Sequence, residues 1–388
     1  MRPAHRTRRR VWGVAIALLL GCAPITGVRE PLCVPSYEAL LVLSDLSAGL
    51  GPSRLKETTP TPSRRLIAYQ VQGRPYQGDL YRLEAAPQAG IVLVAGAAEK
   101  GKDDPRLVAL AYTLARVRFA VLVPDLKDMR ELKVRPSDIQ EVADAFSYLA
   151  DQPELSPGGR AGIGAHSYSV GPALLAAMEP RLRDRVRFVQ GVGGYYDTTN
   201  VVTFFTTGWF RENAAQPWRY MEPNTYGKWV FALSNVDLVR PPDRDLLTRM
   251  AVRRIKDPKA PIADLADKLG PEGRSVYDLL ANTDPNRVST LIMRLPADIR
   301  SAMAVLDLST RDFSTLHARL ILIHGEDDNI IPYTESLHLD HAVPPGQARL
   351  YLIHGLRHVE LHGLGLFDAW RLACAVEALL AERRLGAP

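Results

Sequence analysis

The sequence predicts an α/β fold, in which a mostly parallel β-sheet carries helices on both faces. Short apolar runs without polar alternation indicate strands buried on both faces, and segments with helical spacing alternate with these runs. The alternation stops between residues 195 and 316, a stretch too long for a loop and rich in helical patterns. We therefore expect a core formed by residues 65–194 and 317–388, interrupted by a helical cap over residues 195–316.

The core elements follow in chain order. The segments "LIAYQVQG" and "GDLYRLEA" predict a hairpin that opens the sheet. "GIVLVAG" and "FAVLVPDL" predict buried strands, each followed by a segment with helical spacing. Further strands are expected at 161–166, 186–192, 318–325 and 348–355, with helices at 169–179, 333–342 and 363–383. Strands alternating with helices are typical of a parallel sheet covered on both faces.

The start of the chain predicts a targeting segment over residues 1–21. Five arginines precede the apolar run "VWGVAIALLL", which is too short to span a bilayer. The following Leu19-Leu20-Gly21-Cys22 resembles the lipobox of bacterial lipoproteins, which implies that Cys22 becomes the lipidated first residue. The resemblance implies an exported protein anchored by lipid to the bacterial cell envelope, and Ala23 favours the periplasmic side of the outer membrane. The alternative is an ordinary secretory signal.

Residues 22–64 contain Pro and Ser/Thr clusters and predict a tether with an irregular lead-in. The net charge of +5 is matched by the five arginines of the targeting segment, so the sequence does not indicate a nucleic-acid partner. Two cysteines remain after Cys22. In an exported protein, Cys33 and Cys374 are able to pair, but two buried thiols fit the sequence equally well.

The run "GIGAHSYSVGPALLAA" lies between a predicted strand and a predicted helix, the setting of a nucleophile elbow. Ser167 and Ser169 both have small residues two positions before and after them. The sequence resembles the α/β-hydrolase family, in which His-Ser often ends this strand and an Ala-Leu pair follows in the helix. Ser167 fits that register, and the resemblance implies that it is the nucleophile. Ser169 remains the alternative.

A serine nucleophile needs a base and an orienting acid, and the α/β-hydrolase order is Ser, acid, His. The stretch "LILIHGEDDNIIP" resembles the acid loop of that family and matches Asp328 to the acid. Because it follows a strand, this carboxylate should emerge at the carboxyl edge of the sheet, where ligands bind. The alternatives are Asp327, Glu326 and, after the preceding strand, Asp197.

The base is expected in "LYLIHGLRHVELHG", which offers three histidines. The family resemblance places the base in the loop after the last strand, which matches His358. His354 is expected to pack in the strand, and His362 to begin the last helix as a solvated or capping residue.

Two backbone N–H groups should stabilise the negative oxygen that forms during acyl transfer. By the family resemblance, one belongs to Tyr168, after the nucleophile, and the other to Ala97, in the loop after the first long strand. That loop also contains Gly-x4-Gly-Lys over residues 96–102, one residue short of a phosphate-binding loop. Asp103 replaces its Ser/Thr and would repel phosphate, which disfavours a nucleotide site.

The predicted cap is rich in aromatic residues: residues 195–231 hold eleven of the 28 in the chain. This predicts an apolar roof over the active edge, although many of these rings should form the core of the cap itself. The candidates for substrate contact directly follow a predicted strand and are Tyr195, Tyr196, Phe204, Phe205 and Trp209.

These residues predict a serine hydrolase of carboxylic esters that works through an acyl-enzyme, with no metal and no organic cofactor. Peptidase, thioesterase or acyltransferase activity on the same fold is the first alternative. A dehalogenase would place Asp at the elbow. The second alternative is a binding lipoprotein without catalysis.

Overall fold

A computed structural model describes residues 33–358, 360–361 and 363–384. Its centre is an eight-stranded sheet with the order β1-β2-β4-β3-β5-β6-β9-β10. Its strands are β1 (Ser63–Val71), β2 (Arg74–Arg82), β3 (Ala89–Val94), β4 (Phe119–Pro124), β5 (Ala161–His166), β6 (Phe188–Val192), β9 (Arg319–Gly325) and β10 (Ala348–Ile353). The predicted opening hairpin, β1–β2, is antiparallel, and β2 joins β4 antiparallel. All other pairings in this sheet are parallel, so the predicted α/β fold is confirmed.

Helices cover both faces of the sheet, which explains why the central strands are continuous apolar runs. Every residue of β3 and β4 is buried. One face carries α1 (Tyr37–Ala48), α3 (Pro105–Arg116) and α15 (Leu366–Ala381). The other face carries α5 (Ser137–Ala150), α6 (Val170–Met178) and α14 (Thr334–Ala342). The short helices α2 (Arg54–Thr58) and α4 (Lys127–Arg130) lie in connections.

Between β6 and β9 the chain forms the helical segment that the sequence predicts as a cap. Its helices are α7 (Thr198–Thr207), α8 (Tyr226–Asn235), α9 (Asp243–Lys256), α10 (Ala263–Ala266), α11 (Pro271–Ala281), α12 (Val288–Met293) and α13 (Ala297–Leu306). A small hairpin joins β7 (Trp209–Phe210) to β8 (Arg219–Tyr220). Because β6 and β9 are direct neighbours in the sheet, the insertion leaves the core intact.

The prediction of a tether over residues 22–64 is wrong for the part that the structure describes. Helix α1 packs on α3 and α15 through buried Ala39 and Val42. A disulfide joins Cys33 to Cys374, and the Arg383 guanidinium donates a 2.8 Å hydrogen bond to Glu38. This packing was hard to predict, because the apolar residues of α1 are spread around the helix rather than gathered on one face.

The predicted targeting segment and Cys22 lie outside the described residues. Within the described ranges, no helix is long and apolar enough to cross a bilayer. A second small hairpin, β11 (Leu356–Arg357) with β12 (Glu360–Leu361), follows β10 and leads to α15.

Candidate active site

Ser167 lies at a sharp turn between β5 and the helix that follows it. Its φ of +58° is in the left-handed region, which a residue with a side chain adopts at a cost of about 1–3 kcal/mol. Neighbouring glycines make room for this turn. A Cβ on Gly96 would lie 3.3 Å from the Ser167 Cβ, and one on Gly171 would overlap the Tyr195 hydroxyl at 2.0 Å. The chain is therefore folded tightly around a strained serine turn, as a nucleophile elbow requires.

Ser169, the alternative nucleophile, has a different environment. It is fully buried, its hydroxyl donates a 2.8 Å hydrogen bond to the His166 carbonyl oxygen, and it accepts a 3.1 Å bond from the His166 N–H. These bonds tie the helix start to the end of β5. Ser169 therefore holds the turn together, while Ser167 stands at its apex.

Asp328 and His358 form a hydrogen-bonded pair. The His358 Nδ1 donates to the Asp328 Oδ2 over 2.8 Å, and the other carboxylate oxygen accepts the N–H groups of Ile330 at 2.8 Å and Ile331 at 3.0 Å. Since Nδ1 carries the proton in this bond, the Nε2 of His358 is left as an acceptor. The pair thus has the orientation that an acid and a general base adopt in a triad.

A second histidine lies behind the acid. His324, in β9, is fully buried and places its Nε2 3.0 Å from the Ile331 carbonyl oxygen and 3.4 Å from the Asp328 Oδ2. Its Nδ1 lies 2.7 Å from the Ser336 hydroxyl. Burial alone would raise the pKa of Asp328, but His358 and His324 outweigh it and lower that pKa well below its usual value. Asp328 is therefore an ionised, firmly held carboxylate.

The sheet brings these groups to one edge. The register of the sheet aligns the ends of β5, β6 and β9, with His166 paired to Val192 and Val192 to Ile323. Ser167 and Gly193 therefore each follow the end of one of two adjacent strands, and such strands are spaced about 4.8 Å apart. Gly193 has a φ of +60°, and a Cβ on it would lie 3.3 Å from the His358 Nδ1 and 3.2 Å from the Asp328 Oδ2. The Asp–His pair therefore packs against the residue beside Ser167. The turn at Gly193 could have been predicted from the sequence, because the glycine-rich stretch "GVGG" at the end of a strand indicates a tight turn there.

The predicted oxyanion residues both lie next to Ser167. Tyr168 is the second residue of the helical turn Ser167–Ser169, and the first N–H groups of such a turn lack acceptors within it. Ala97 is in the loop whose Gly96 packs on Ser167, and its carbonyl oxygen accepts a 2.8 Å hydrogen bond from the Tyr226 hydroxyl. Tyr226 belongs to α8 and so links the inserted segment to this loop. No sequence motif indicates this role.

The alternative acids have other partners. Asp327 accepts a 3.2 Å hydrogen bond from the Gly355 N–H, and Asp197 caps α7 by accepting from Thr199 and Asn200. Glu326 uses its backbone N–H to bond Ile353, in line with a position at the strand end. Within the described chain, neither aspartate bonds to His358.

Two further alternatives are decided by position. The expectation that His354 packs in a strand is wrong, because β10 ends at Ile353 and His354 is exposed in the following turn. His362 lies outside the described residues. In the loop that resembles a phosphate-binding motif, Lys102 forms a 3.0 Å ion pair with Asp79. Its charge is therefore already neutralised by a carboxylate.

A cavity of about 450 Å³ adjoins the elbow through the ring of Tyr168. It lies between the core and α7, α8 and α13, and most of its wall is aliphatic or aromatic. The Tyr168 hydroxyl is buried without a hydrogen-bond partner among the described residues, and burial raises its pKa.

Of the five aromatic candidates for substrate contact, Tyr195 and Phe205 line this cavity. The other three do not line this cavity, and their contact with substrate stays a prediction. Tyr196 packs on Phe313, Phe204 meets Phe210 edge to face, and Trp209 meets Tyr220. On α7, the helix period turns Phe205 toward the cavity and Phe204 away from it.

This strand order, with a serine elbow after β5, an acid after β9 and a histidine after β10, defines an α/β-hydrolase fold. Comparison with known proteins agrees on the fold. A Legionella pneumophila protein provisionally described as a hydrolase is 13% identical over 90% of this chain and 96% of that one, with a TM-score of 0.54. The structural similarity shows a common fold, and it leaves the substrate to be argued from the site.

Two other solved structures are more distant. An esterase from Pyrobaculum calidifontis is 13% identical over 89% of each chain, with a TM-score of 0.44. A dienelactone hydrolase from Anabaena variabilis is 15% identical over 82% of this chain and 97% of that one, with a TM-score of 0.42. No protein-family model and no curated protein sequence matches the chain.

Proposed function

We propose that the protein is a serine hydrolase that cleaves carboxylic esters through Ser167, His358 and Asp328. The observation that carries the proposal is the 2.8 Å bond from His358 to Asp328, formed against Gly193 beside the strained Ser167 turn. A buried Asp–His pair next to a serine in the left-handed region is a costly arrangement. A role in catalysis would account for an arrangement that lowers the stability of the fold.

The first half of the reaction follows from the proton positions. The His358 Nε2 accepts the Ser167 hydroxyl proton as Oγ bonds to the ester carbonyl carbon, and Asp328 stabilises the resulting imidazolium. The N–H groups of Ala97 and Tyr168 bind the negative oxygen of the tetrahedral intermediate. His358 then donates its proton to the leaving alcohol as the C–O bond breaks.

The acyl-enzyme is released by the same groups. His358 accepts a proton from water, whose oxygen bonds to the acyl carbon, and then returns the proton to Ser167 as the acid departs. The apolar cavity beside Tyr168 would receive the hydrocarbon part of the substrate, since its wall offers few polar groups.

Covalent labelling with a fluorophosphonate probe tests this proposal. Ser167→Ala should abolish labelling and lower kcat on p-nitrophenyl esters by about 10⁴-fold or more. Ser169→Ala is the matched control: it should still label, with lower thermal stability because the turn loses its hydrogen bonds. Labelling that depends on Ser169 instead would disprove the assignment of the nucleophile.

A substrate panel tests the chemical class. p-Nitrophenyl esters should be hydrolysed faster than thioesters or aminoacyl p-nitroanilides at equal concentration. Faster release from the anilides would point to a peptidase, and labelling without turnover of any of them would favour transfer to another acceptor. An unlabelled, inactive but folded protein would instead indicate a binding role.

We also propose that Cys22 anchors the protein by lipid to the bacterial cell envelope, on the periplasmic side of the outer membrane. The position of Leu19-Leu20-Gly21-Cys22 directly after the apolar run supports this proposal. Mass spectrometry of the amino-terminal peptide should find acylated Cys22. Cys22→Ser should release the protein from membrane fractions, and its retention there by other means would contradict lipid anchoring.

A further inference from the structure

Helix α15 presents an unusual group of exposed apolar side chains at its amino-terminal end. Leu366, Phe367 and Trp370 are 95%, 55% and 44% exposed. Single exposed apolar residues are common on protein surfaces, but three within five residues of one helix are not expected without a partner. The guanidinium of Arg371 stacks over the Phe367 ring, 4.3 Å from its centre.

The amino-terminal part of the chain enters the fold on this same side of α15. Phe367, Trp370 and Cys374 follow the i, i+3, i+7 spacing of one helix face, and Cys374 is bonded to Cys33. Val34, next to the disulfide, is 89% exposed. Tyr37 lies farther along α15, because its neighbours Ser36 and Glu38 bond to Glu377 and Arg383. We call Val34, Leu366, Phe367 and Trp370 the apolar face.

The stretch of chain between Cys22 and the disulfide is short. Ten residues lie between Cys22 and Cys33, so the two cysteines are at most about 40 Å apart even with the chain fully extended. Phe367 lies about 10 Å along the helix axis from Cys374. This inference rests on the lipid anchor proposed above, because a lipid at Cys22 would hold the apolar face close to the bilayer at a high effective concentration, where weak contacts are sufficient.

We propose that the apolar face docks on the lipid bilayer. Its composition fits that partner, because Trp favours the interface between headgroups and acyl chains while Leu and Phe enter the hydrocarbon. Docking would orient the anchored protein on the membrane. The same helix end borders the loop of His358, since Asp368 accepts a 3.0 Å hydrogen bond from the His354 N–H. The docked enzyme would therefore present this flank of its active edge to membrane lipids.

The main test separates docking from anchoring by using the full chain with Cys22→Ser. Its co-sedimentation with vesicles of phosphatidylethanolamine and phosphatidylglycerol at 3:1 should fall about tenfold when Phe367→Ser and Trp370→Ser are added, because less apolar area is buried. The matched control is Val252→Ser with Met293→Ser, two exposed apolar residues of the cap. Equal losses in both double variants, or none in the first, would overturn the proposal.

A second measurement uses the acylated protein as it exists. In vesicles with dibrominated acyl chains, its tryptophan emission should be quenched, and Trp370→Phe should remove most of the quenching. Unchanged quenching in that variant would contradict docking. Turnover of a soluble short-chain ester should stay within about twofold of the wild-type value in every variant, since these side chains are exposed. Loss of the proposed hydrolase activity would leave both binding measurements intact.

Discussion

At the scale of single residues, the catalytic edge depends on side chains that the sequence motifs do not include. His324 contacts both the acid and the loop that holds it, and it has no access to substrate because it is fully buried. We therefore expect it to be a positioning residue that keeps the Asp328 oxygen where His358 can donate to it.

Replacing His324 should therefore affect turnover more than substrate binding. His324→Phe removes the donor to Ile331 and the partner of Ser336 and should lower kcat by about tenfold with little change in KM, because the misplaced acid acts only in the transition state. His324→Gln keeps an N–H near the Nε2 position and should recover part of the rate. Steady-state kinetics on one ester provide the measurement, and equal loss in both variants at unchanged stability would argue against this role.

The candidate catalytic residues could be predicted because each of them lies in a short sequence motif. A serine between a strand and a helix, and an acid and a histidine after strands, are visible in short windows of sequence. Gly193, His324 and Tyr226 could not be predicted in the same way, because their importance lies in neighbours far along the chain. The assignment of catalytic roles to Ser167 and His358 stays a prediction until labelling tests it.

At the scale of elements, the first turn of α5 contains a buried carboxyl group. Asp138 is fully buried, its Oδ2 accepts a 2.7 Å hydrogen bond from the Arg135 N–H, and its Oδ1 lacks a partner among the described residues. Burial raises its pKa to about 7. Because the unfolded chain releases this proton near pH 4, the folded state binds more protons between about pH 4 and 7, so its stability falls as pH rises through that range.

Asp138→Asn should remove this pH dependence while keeping the acceptor for Arg135. At pH 8 the variant should be more stable than the wild type by about 2 kcal/mol, and at pH 4 the difference should nearly vanish. Urea unfolding at both pH values provides the measurement. A variant that is destabilised equally at both would show that the carboxyl is ionised and needed.

The helices of the inserted segment line the cavity, and we expect them to limit which substrates fit. Ala302 in α13 lines the cavity, whereas Ala304 in the same helix is exposed and does not. Ala302→Phe should fill part of the 450 Å³ volume and lower kcat/KM for long-chain p-nitrophenyl esters by about tenfold or more, with little effect on the acetate. Ala304→Phe should leave both unchanged. A uniform loss across chain lengths would place the acyl group elsewhere.

The spacing of apolar residues predicted the helices and strands well where burial of one or both faces requires a regular apolar pattern. The buried strands and the amphipathic helices α3 and α5 are of this kind, and the helical nature of residues 195–316 is another example. It failed for α1, whose apolar residues are divided between the core and solvent. It also failed to separate cavity-lining rings from packing rings, since that distinction depends on how one helix is rotated against others.

At the scale of the whole molecule, the amino-terminal segment and the last helix close the fold together. The Cys33–Cys374 disulfide joins residues 341 positions apart, and the ion pair of Arg383 with Glu38 lies on the same contact. The sequence left the state of these cysteines open because pairing depends on tertiary proximity. Cross-linking such distant residues restricts the unfolded chain far more than the folded one.

Removing this link should lower stability without changing the chemistry. Cys33→Ser with Cys374→Ser should lose about 2–5 kcal/mol of unfolding free energy, and dithiothreitol should shift the wild-type Tm toward that of the variant while leaving the variant itself unaffected. Turnover of p-nitrophenyl acetate at low temperature should be unchanged, since the disulfide joins α15 and the amino-terminal segment rather than the loops that carry Ser167 and Asp328. If reduction left Tm unaltered, helix packing alone would hold the segment in place, and the apolar face would keep its position without the covalent link.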